Sequence, residues 1–372
     1  MKFIVSSKEL NSALGTVGSV VVHNNITPIL QDFHLQISNG KLIISATDLE
    51  TYISLDMPIE SNSEGKFTIN ARLLLDTLKT FPDQPLTFSY NPENLSVKIT
   101  HDSGECVIGG HNAEDFPVPP KFSPEASINL EANTLALAIH KTLFATGSDD
   151  RPQMSGVFFE LSPEKTNFVA TDAHKLVRYT RIDVKSDHTF SAILPKKPLN
   201  ILRNLLTGVE SNAHLELSKM NFSASWDNIK LLGRLVDARY PNYQSVIPVE
   251  NPNVLTVDKN LLINRLMRVQ NFANKSTYLV RFKLAGSQLT LDAENLDFSN
   301  QAHETLPCVY HGVDMEIGFN SKFLIEVLKN IVENEVVIKL SLPSRPGVIE
   351  PSQPSDEHEQ LLMLIMPLMI AL

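Results

Sequence analysis

The sequence is poor in cysteine, glycine and tryptophan: of 372 residues only two are Cys, 15 are Gly and one is Trp. Cys106 and Cys308 give neither a disulfide framework nor a metal-ligand spacing, and their scarcity fits a reducing cytoplasm. The glycines are scattered along the chain without a glycine-rich loop motif, so no loop is available to cradle a phosphate. Walker A, dinucleotide-binding, HEXXH and GXSXG patterns are all absent. No run of eighteen or more uncharged apolar residues occurs. The most apolar stretch, residues 361–372, is too short to cross a bilayer, so no membrane partner is expected. The opening MKFIVSSKEL turns polar too early for a secretory signal. What remains is a composition of 42% hydrophobic and 20% charged residues, typical of a soluble globular protein with two or three domains. The net charge of −10 speaks against a phosphate-rich partner, unless the basic residues are gathered on one surface.

The chain repeats itself three times at intervals of roughly 120–125 residues. Each unit opens with an amphipathic helix pattern, over residues 6–21, 131–146 and 258–275, in which apolar residues such as Leu10, Leu14 and Val17 recur at helical spacing. Short strand-like runs follow, for example 33–37 and 41–46, or 156–161 and 167–170. The phrase SATDLETY at 45–52 returns as VATDAHKL at 169–176 and more faintly as TLDAENLD at 290–297. A second helix is predicted over 70–80, 195–206 and 320–333, and more strands close each unit. The first two units also share an elbow, Asp115-Phe116-Pro117 and Arg239-Tyr240-Pro241. Helices with one apolar face must lay it on a sheet. The expected class is therefore α+β: three tandem domains over residues 1–121, 122–248 and 249–372, each with two helices on antiparallel sheet. The pattern alone leaves an unrelated repeat scaffold open.

Charge is segregated along this pattern. The six predicted helices hold thirteen basic and six acidic residues, about +7 against −17 for the remainder. Basic helices on an acidic protein suit a surface that faces phosphate while the outside repels it. No aromatic platform accompanies them, which disfavours single-strand stacking, and no recognition-helix motif is present. The expected contact is with the backbone of duplex DNA, independent of base sequence.

Taken in order, MKFIV at the start, TPIL at 27–30, ATDAHKL at 170–176, RLVDARYPNY at 234–243, MEIGFN at 315–320 and IMPL at 365–368 give the chain a resemblance, over essentially its whole length, to the bacterial DNA polymerase III beta subunit, the sliding clamp family. The resemblance implies a homodimer joined head to tail into a ring around duplex DNA, without cofactor or catalysis. Its implied partners are the replicative polymerase subunit, an ATP-driven clamp loader and repair proteins with short clamp-binding motifs. It implies a peptide pocket lined by Met154, Thr171, Ala173, His174, Leu176, Pro241, Val246, Leu364, Met366, Pro367 and Leu368. Candidate DNA contacts are Arg72, Lys79, Lys141, Arg151, Lys196, Lys197, Arg203, Arg265 and Arg268. The dimer edge is expected to bring Cys106 and Ile108 against Asn271 and Phe272, so Cys106 reads as an interface residue and not a nucleophile.

Four features depart from the family pattern. Ala173 stands where glycine is common, Lys175 where arginine is common, the tail continues as Met369-Ile370-Ala371-Leu372, and Asn24 and Asn25 occupy a loop that is often basic. Two other readings are open at this stage. A scaffold that binds only proteins shares the pocket without encircling DNA. An enzyme using Asp172 and His174 needs a nucleophile and an orienting group that the sequence does not supply. Residues Met366 and Leu368 also read as the end of an edge strand, and His174 as a loop histidine.

Overall fold

The protein is described by a computed structural model covering residues 1–22, 27–295 and 298–370. Asn24 and Asn25 therefore lie outside the described residues. The first repeat runs β1 (Lys2–Ser6), α1 (Ser7–Val17), β2 (Asp32–Ser38), β3 (Lys41–Thr47), β4 (Thr51–Pro58), β5 (Gly65–Asn70), α2 (Ala71–Leu78), β6 (Pro85–Asn91), β7 (Ser96–His101) and β8 (Gly104–Gly109). The second repeats this order: β9 (Ala126–Glu131), α3 (Ala132–Leu143), β10 (Gly156–Leu161), β11 (Thr166–Thr171), β12 (Lys175–Arg181), β13 (Phe190–Pro195), α4 (Lys196–Leu206), β14 (Asn212–Leu217), β15 (Asn221–Trp226) and β16 (Ile229–Arg234). The third adds two short strands. Its elements are β17 (Asn253–Asp258), α5 (Lys259–Val269), β18 (Leu279–Ala285), β19 (Gln288–Asn295), β20 (Asn300–Pro307), β21 (Val309–His311), β22 (Met315–Asn320), α6 (Ser321–Lys329), β23 (Glu335–Leu340), β24 (Gly347–Pro351), β25 (Glu359–Ile365) and β26 (Pro367–Leu368).

Strand passes directly into helix because the last strand residue caps the helix. Ser6, Asn70, Asp258 and Asn320 each sit in extended backbone, and their side-chain oxygens accept from amides of the first turn. Five of the six helices end earlier than the periodicity suggests, while α4 ends at Leu206 as expected. After Val17 the chain tightens into a 3-10 turn over Gly18–Val20. Beyond α5, the Asn274 side-chain Oδ1 accepts from the amides of Ser276 and Thr277. Such local side-chain bonds offer the backbone an alternative to helix.

The chain forms two compact units, Met1–Ala136 with Lys197–Leu235, and Leu137–Lys196 with Val236–Leu372. The first unit holds a four-stranded sheet, β1-β6-β7-β8, and an eight-stranded sheet, β5-β2-β3-β4-β16-β15-β14-β9. The second holds a nine-stranded sheet, β13-β10-β11-β12-β25-β24-β23-β17-β21, and a five-stranded sheet, β20-β19-β18-β22-β26. Strand alternation decides the faces: β1 exposes Ile4 and buries Phe3 and Val5. Phe3 then stacks on Phe88 at 4.8 Å in the first unit, and Phe159 meets Phe168 edge-on at 4.7 Å in the second.

The first two repeats thus contribute two four-stranded halves each, and the third two five-stranded ones. The β2–β5 half of repeat one joins the half of repeat two made of β9 and β14–β16 through β4 and β16, with Thr51 opposite Gly233 and Leu55 opposite Ile229. Repeats two and three join in the same way through β12 and β25, from Lys175 opposite Ile365 to Arg181 opposite Glu359. The strands in the corresponding positions of the remaining halves, β8 (the counterpart of β16 and β25) and β20 (the counterpart of β4 and β12), pair among the described residues only with β7 and β19. The faint third echo at 290–295 is part of β19 and not a turn like its two counterparts, while Leu296 and Asp297 lie outside the described residues.

Candidate functional site

The turn between β11 and β12 is built from its own side chains. The Thr171 hydroxyl donates to the Lys175 carbonyl at 2.7 Å and accepts from the Ala173 amide at 3.2 Å. One Asp172 oxygen accepts from the amides of His174 and Lys175, both at 2.9 Å. Its other oxygen accepts from the Lys175 ammonium at 2.6 Å. Asp172 therefore acts as a turn cap, and the His174 ring stacks on Phe323 of α6 at 5.3 Å. The acid/base reading of this pair lacks the geometry it needs. Ala173 has φ of 76°, a left-handed conformation in which glycine is favoured.

The C-terminal segment seats itself on this turn. The Met366 amide donates to the His174 carbonyl at 2.9 Å, extending the β12–β25 pairing by one bond. The chain then crosses to β22, where Pro367 lies opposite Phe319 and Leu368 opposite Gly318. Beneath, Val169, Leu176, Ile193, Tyr240, Tyr243 and Leu364 form one buried cluster. Tyr240 stacks on Phe158 at 4.5 Å with planes 8° apart, which anchors the elbow before Pro241. Burial raises both phenols, that of Tyr243 to about 12 with help from its bond to Glu160, so each stays protonated and donates.

The eleven expected pocket residues fall into three groups by exposure. Met154, Thr171, Leu176 and Leu364 are buried, while Ala173, His174, Pro241, Val246 and Met366 are exposed. Pro367 and Leu368 are half-buried between them. The structure adds Phe323 and Glu326 of α6, the latter 3.1 Å from the Lys175 ammonium. No sequence signal pointed to these two, because α6 is distant in the chain.

The basic residues divide differently. Arg72, Lys79, Arg151, Lys197 and Arg268 are exposed. Arg203 and Lys196 are half-buried, and the Lys196 ammonium donates to the Gly147 carbonyl. Arg265 is held by Glu304 at 2.8 Å, which also meets Arg268 at 3.4 Å. Lys141 must be withdrawn as a DNA contact. Its side chain is 2% exposed and its ammonium lies 3.2 Å from Glu359, whose side chain is also 2% exposed. Lys259 is likewise buried, donating to the Ile331 and Val332 carbonyls, so it adds nothing to a phosphate-facing surface. On the observed helix boundaries the six helices still carry eleven basic and three acidic residues, +8 against −18 for the rest.

At the expected dimer edge, Asn271 and Phe272 are exposed at the end of α5, and Cys106 is half-buried on β8. Ile108 is 3% exposed, so its side chain belongs to the core of its own sheet and is withdrawn as a contact. Strand alternation turns Val107 outward instead. Burial pushes both thiols, Cys106 and Cys308, above their ordinary range, the opposite of what a nucleophile needs. Among the described residues no cluster of His, Cys, Asp and Glu is arranged to hold a metal, and no helix is long and apolar enough to cross a membrane.

Comparison with known proteins follows the same division of the chain. Residues 1–120, 129–242 and 244–368 match, in turn, the N-terminal, central and C-terminal domain models of the DNA polymerase III beta subunit. A beta sliding clamp of Rickettsia bellii is 27% identical over the whole of both chains. One from Haemophilus influenzae is 29% identical over 90% of this chain and 92% of its own. The crystal structure of the DNA polymerase III subunit beta from Bartonella birtlesii, bound to griselimycin, superposes with a TM-score of 0.91 at 26% identity, covering all of both chains. With three consecutive domains matched in order along nearly its full length, and a fold that repeats one module three times, this chain belongs to the DNA polymerase III beta subunit family.

Proposed function

We propose that this chain is a DNA sliding clamp: two copies close head to tail into a ring around duplex DNA and tether the replicative polymerase and other DNA-processing proteins. The observation that carries the ring is the pair of seams. The chain joins one repeat to the next twice, β4 to β16 and β12 to β25, and leaves β8 and β20 as the unused halves of a third identical join. An open strand edge is a template for pairing with another chain. A head-to-tail join of β20 to the β8 of a second copy closes when the rotation per subunit allows it. Val107 on β8 and Phe272 after α5 are the exposed apolar residues that such a join covers. Asn271 lies beside them, and Cys106 stands on the joining strand.

The basic helices supply the attraction for DNA. Arg72, Lys79, Arg151, Lys196, Lys197, Arg203 and Arg268 present positive charge on a protein whose other surfaces are acidic, and Arg265 shares its charge with Glu304. Contacts of this kind are blind to sequence and screened by salt, which permits sliding. The groove around His174, Pro241, Val246 and Met366 is suited to short apolar motifs of polymerase and repair proteins, since methionine and leucine repack readily around different partners. The protein acts in the cytoplasm and is not an enzyme. An ATP-driven loader opens the ring, because the chain has no nucleotide motif of its own.

Topological retention tests the reading. Protein loaded on nicked circular DNA is expected to remain bound through a high-salt wash and to be lost once the circle is cut. Equal loss from circle and linear DNA points instead to a scaffold that binds proteins alone.

A further inference from the structure

The turn that seats the C-terminal segment has a twin in the first unit. Thr47 donates to the Thr51 carbonyl at 2.8 Å, and one Asp48 oxygen accepts from the amides of Glu50 at 3.0 Å and Thr51 at 2.6 Å. Leu49 takes the left-handed position with φ of 79°, as Ala173 does with 76°. The Arg234 amide donates to the Glu50 carbonyl at 2.9 Å, the same bond that Met366 makes to His174. Even the elbow is reproduced: Phe116 stacks on His34 at 4.9 Å where Tyr240 stacks on Phe158. Between this turn and its elbow lies a groove of about 540 Å³, walled by residues 117–121 and by Met220.

We propose that this first seam is a second docking groove, which takes a short extended peptide bearing apolar and acidic side chains. Leu49, Val118 and Met220 are 64%, 86% and 62% exposed around one hollow, an apolar concentration with no partner within the described chain. Pro117, Pro119 and Pro120 have no amide to offer, so that wall grips side chains and does not extend a sheet. The rim fixes the sign of the partner. Arg234 lies 3.6 Å from Glu50, which leaves Lys121 as the uncompensated charge of the lining and favours a carboxylate. An apolar floor with one net positive charge suits a peptide and not a nucleic acid, whose contacts need several cations. Leu49 and Glu50 replace Ala173 and His174, so the two grooves bind the same kind of peptide with different affinity. Only the class of ligand rests on reading the second seam as a peptide site; the groove itself stands on its own geometry.

Methionine methyl groups report the two grooves separately, Met220 in the first seam and Met366 in the second. The full chain, labelled at its methionine methyls, is titrated with acetyl-Asp-Glu-Leu-Ala-Phe-Leu-amide and followed by NMR. The Met220 signal is expected to move saturably, and Leu49→Asp with Val118→Asp to weaken that titration by about tenfold or more. Lys121→Glu weakens it several-fold, and none of the three changes affects the Met366 response. All three positions are exposed, and an unchanged melting curve verifies that the variants fold. A Met220 signal that stays still while Met366 responds overturns this inference and leaves the proposed function standing. A response at Met220 alone upholds the first groove and counts against the second. Silence at both contradicts both.

Discussion

Replacing Lys141 with methionine should destabilise this protein without touching DNA binding. The Lys141 ammonium is enclosed with the Glu359 carboxylate at 3.2 Å, and Glu359 also accepts from Tyr179 at 2.8 Å and Ser355 at 2.6 Å. These groups tie α3 and β12 of the central repeat to the start of β25 in the third. Burial works to raise the Glu359 carboxyl, but the bonds from Ser355 and Tyr179 and the charge of Lys141 outweigh it and hold it below the ordinary 4.5. Removing one partner of a buried pair costs about 3–5 kcal/mol, because the other charge is left without compensation. A domain-sized unit of 150–250 residues loses about 2–4 °C per kcal/mol, so Lys141→Met should melt roughly 6–20 °C lower. Glu359→Gln should lose a similar amount, and the double variant much less than the sum of the two. Because the carboxyl is depressed, this stabilisation is present above pH 4.5 and fades as pH falls through the lower folded value. Differential scanning calorimetry of the four proteins at neutral pH, and of the wild type down to pH 3, gives the answer. Single variants that melt with the wild type, or effects that simply add, refute the reasoning. A shallower salt dependence of DNA binding in Lys141→Met would restore it as a phosphate contact.

Three further outcomes are expected. Alanine at Arg72 and at Arg151, both exposed, should each lower the slope of log K against log salt on duplex DNA by about 0.9, measured by equilibrium binding to short linear duplex; an unchanged slope removes that residue from the DNA surface. Met366→Asp should abolish binding of polymerase-derived peptides in fluorescence anisotropy while the native mass stays that of a dimer, and a shift to monomers means the tail and the subunit edge have been confused. His34 titrates at about 4 instead of 6.5, held down by burial first and the Lys66 charge second, against a smaller opposing effect of Glu114. The unfolded chain therefore protonates first, and stability is lost as pH falls from 6.5 towards 4. His34→Phe keeps the ring stack on Phe116 and should flatten that part of the profile; an unaltered profile places the acid sensitivity elsewhere.

The helices were legible in the sequence because each follows a 3.6-residue apolar rhythm, which four of them couple to a capping residue. All six begin within a residue of the expected position, while five of the six ends, set by local turns such as that of Asn274, were overextended. The TD phrases marked the seams correctly as repeats, yet nothing in them said that each turn would be completed by a strand far along the chain. Such pairings join residues more than a hundred positions apart, Thr51 with Gly233 and Lys175 with Ile365, and leave no local trace. Lys141 was misread for a related reason. Helix α3 is apolar on most sides, with Ala138, Thr142 and Ala145 buried beside the lysine, and its counter-ion lies in another repeat. Ile108 and Cys106 share one strand face, but only the packed sheet shows that this face is turned inward. The tail shows the same limit: the order of its proline, methionine and leucine residues placed them at the end of the chain, but not which of them the packed strand buries.

Single-particle images of the purified protein test the central claim most directly. Two chains joined through β8 and β20 should appear as a closed annulus with a hole wide enough for a double helix, and Val107→Asp with Phe272→Asp should open it into arcs of half the mass. A filled particle without a central opening, or annuli unaffected by those two changes, contradicts the account.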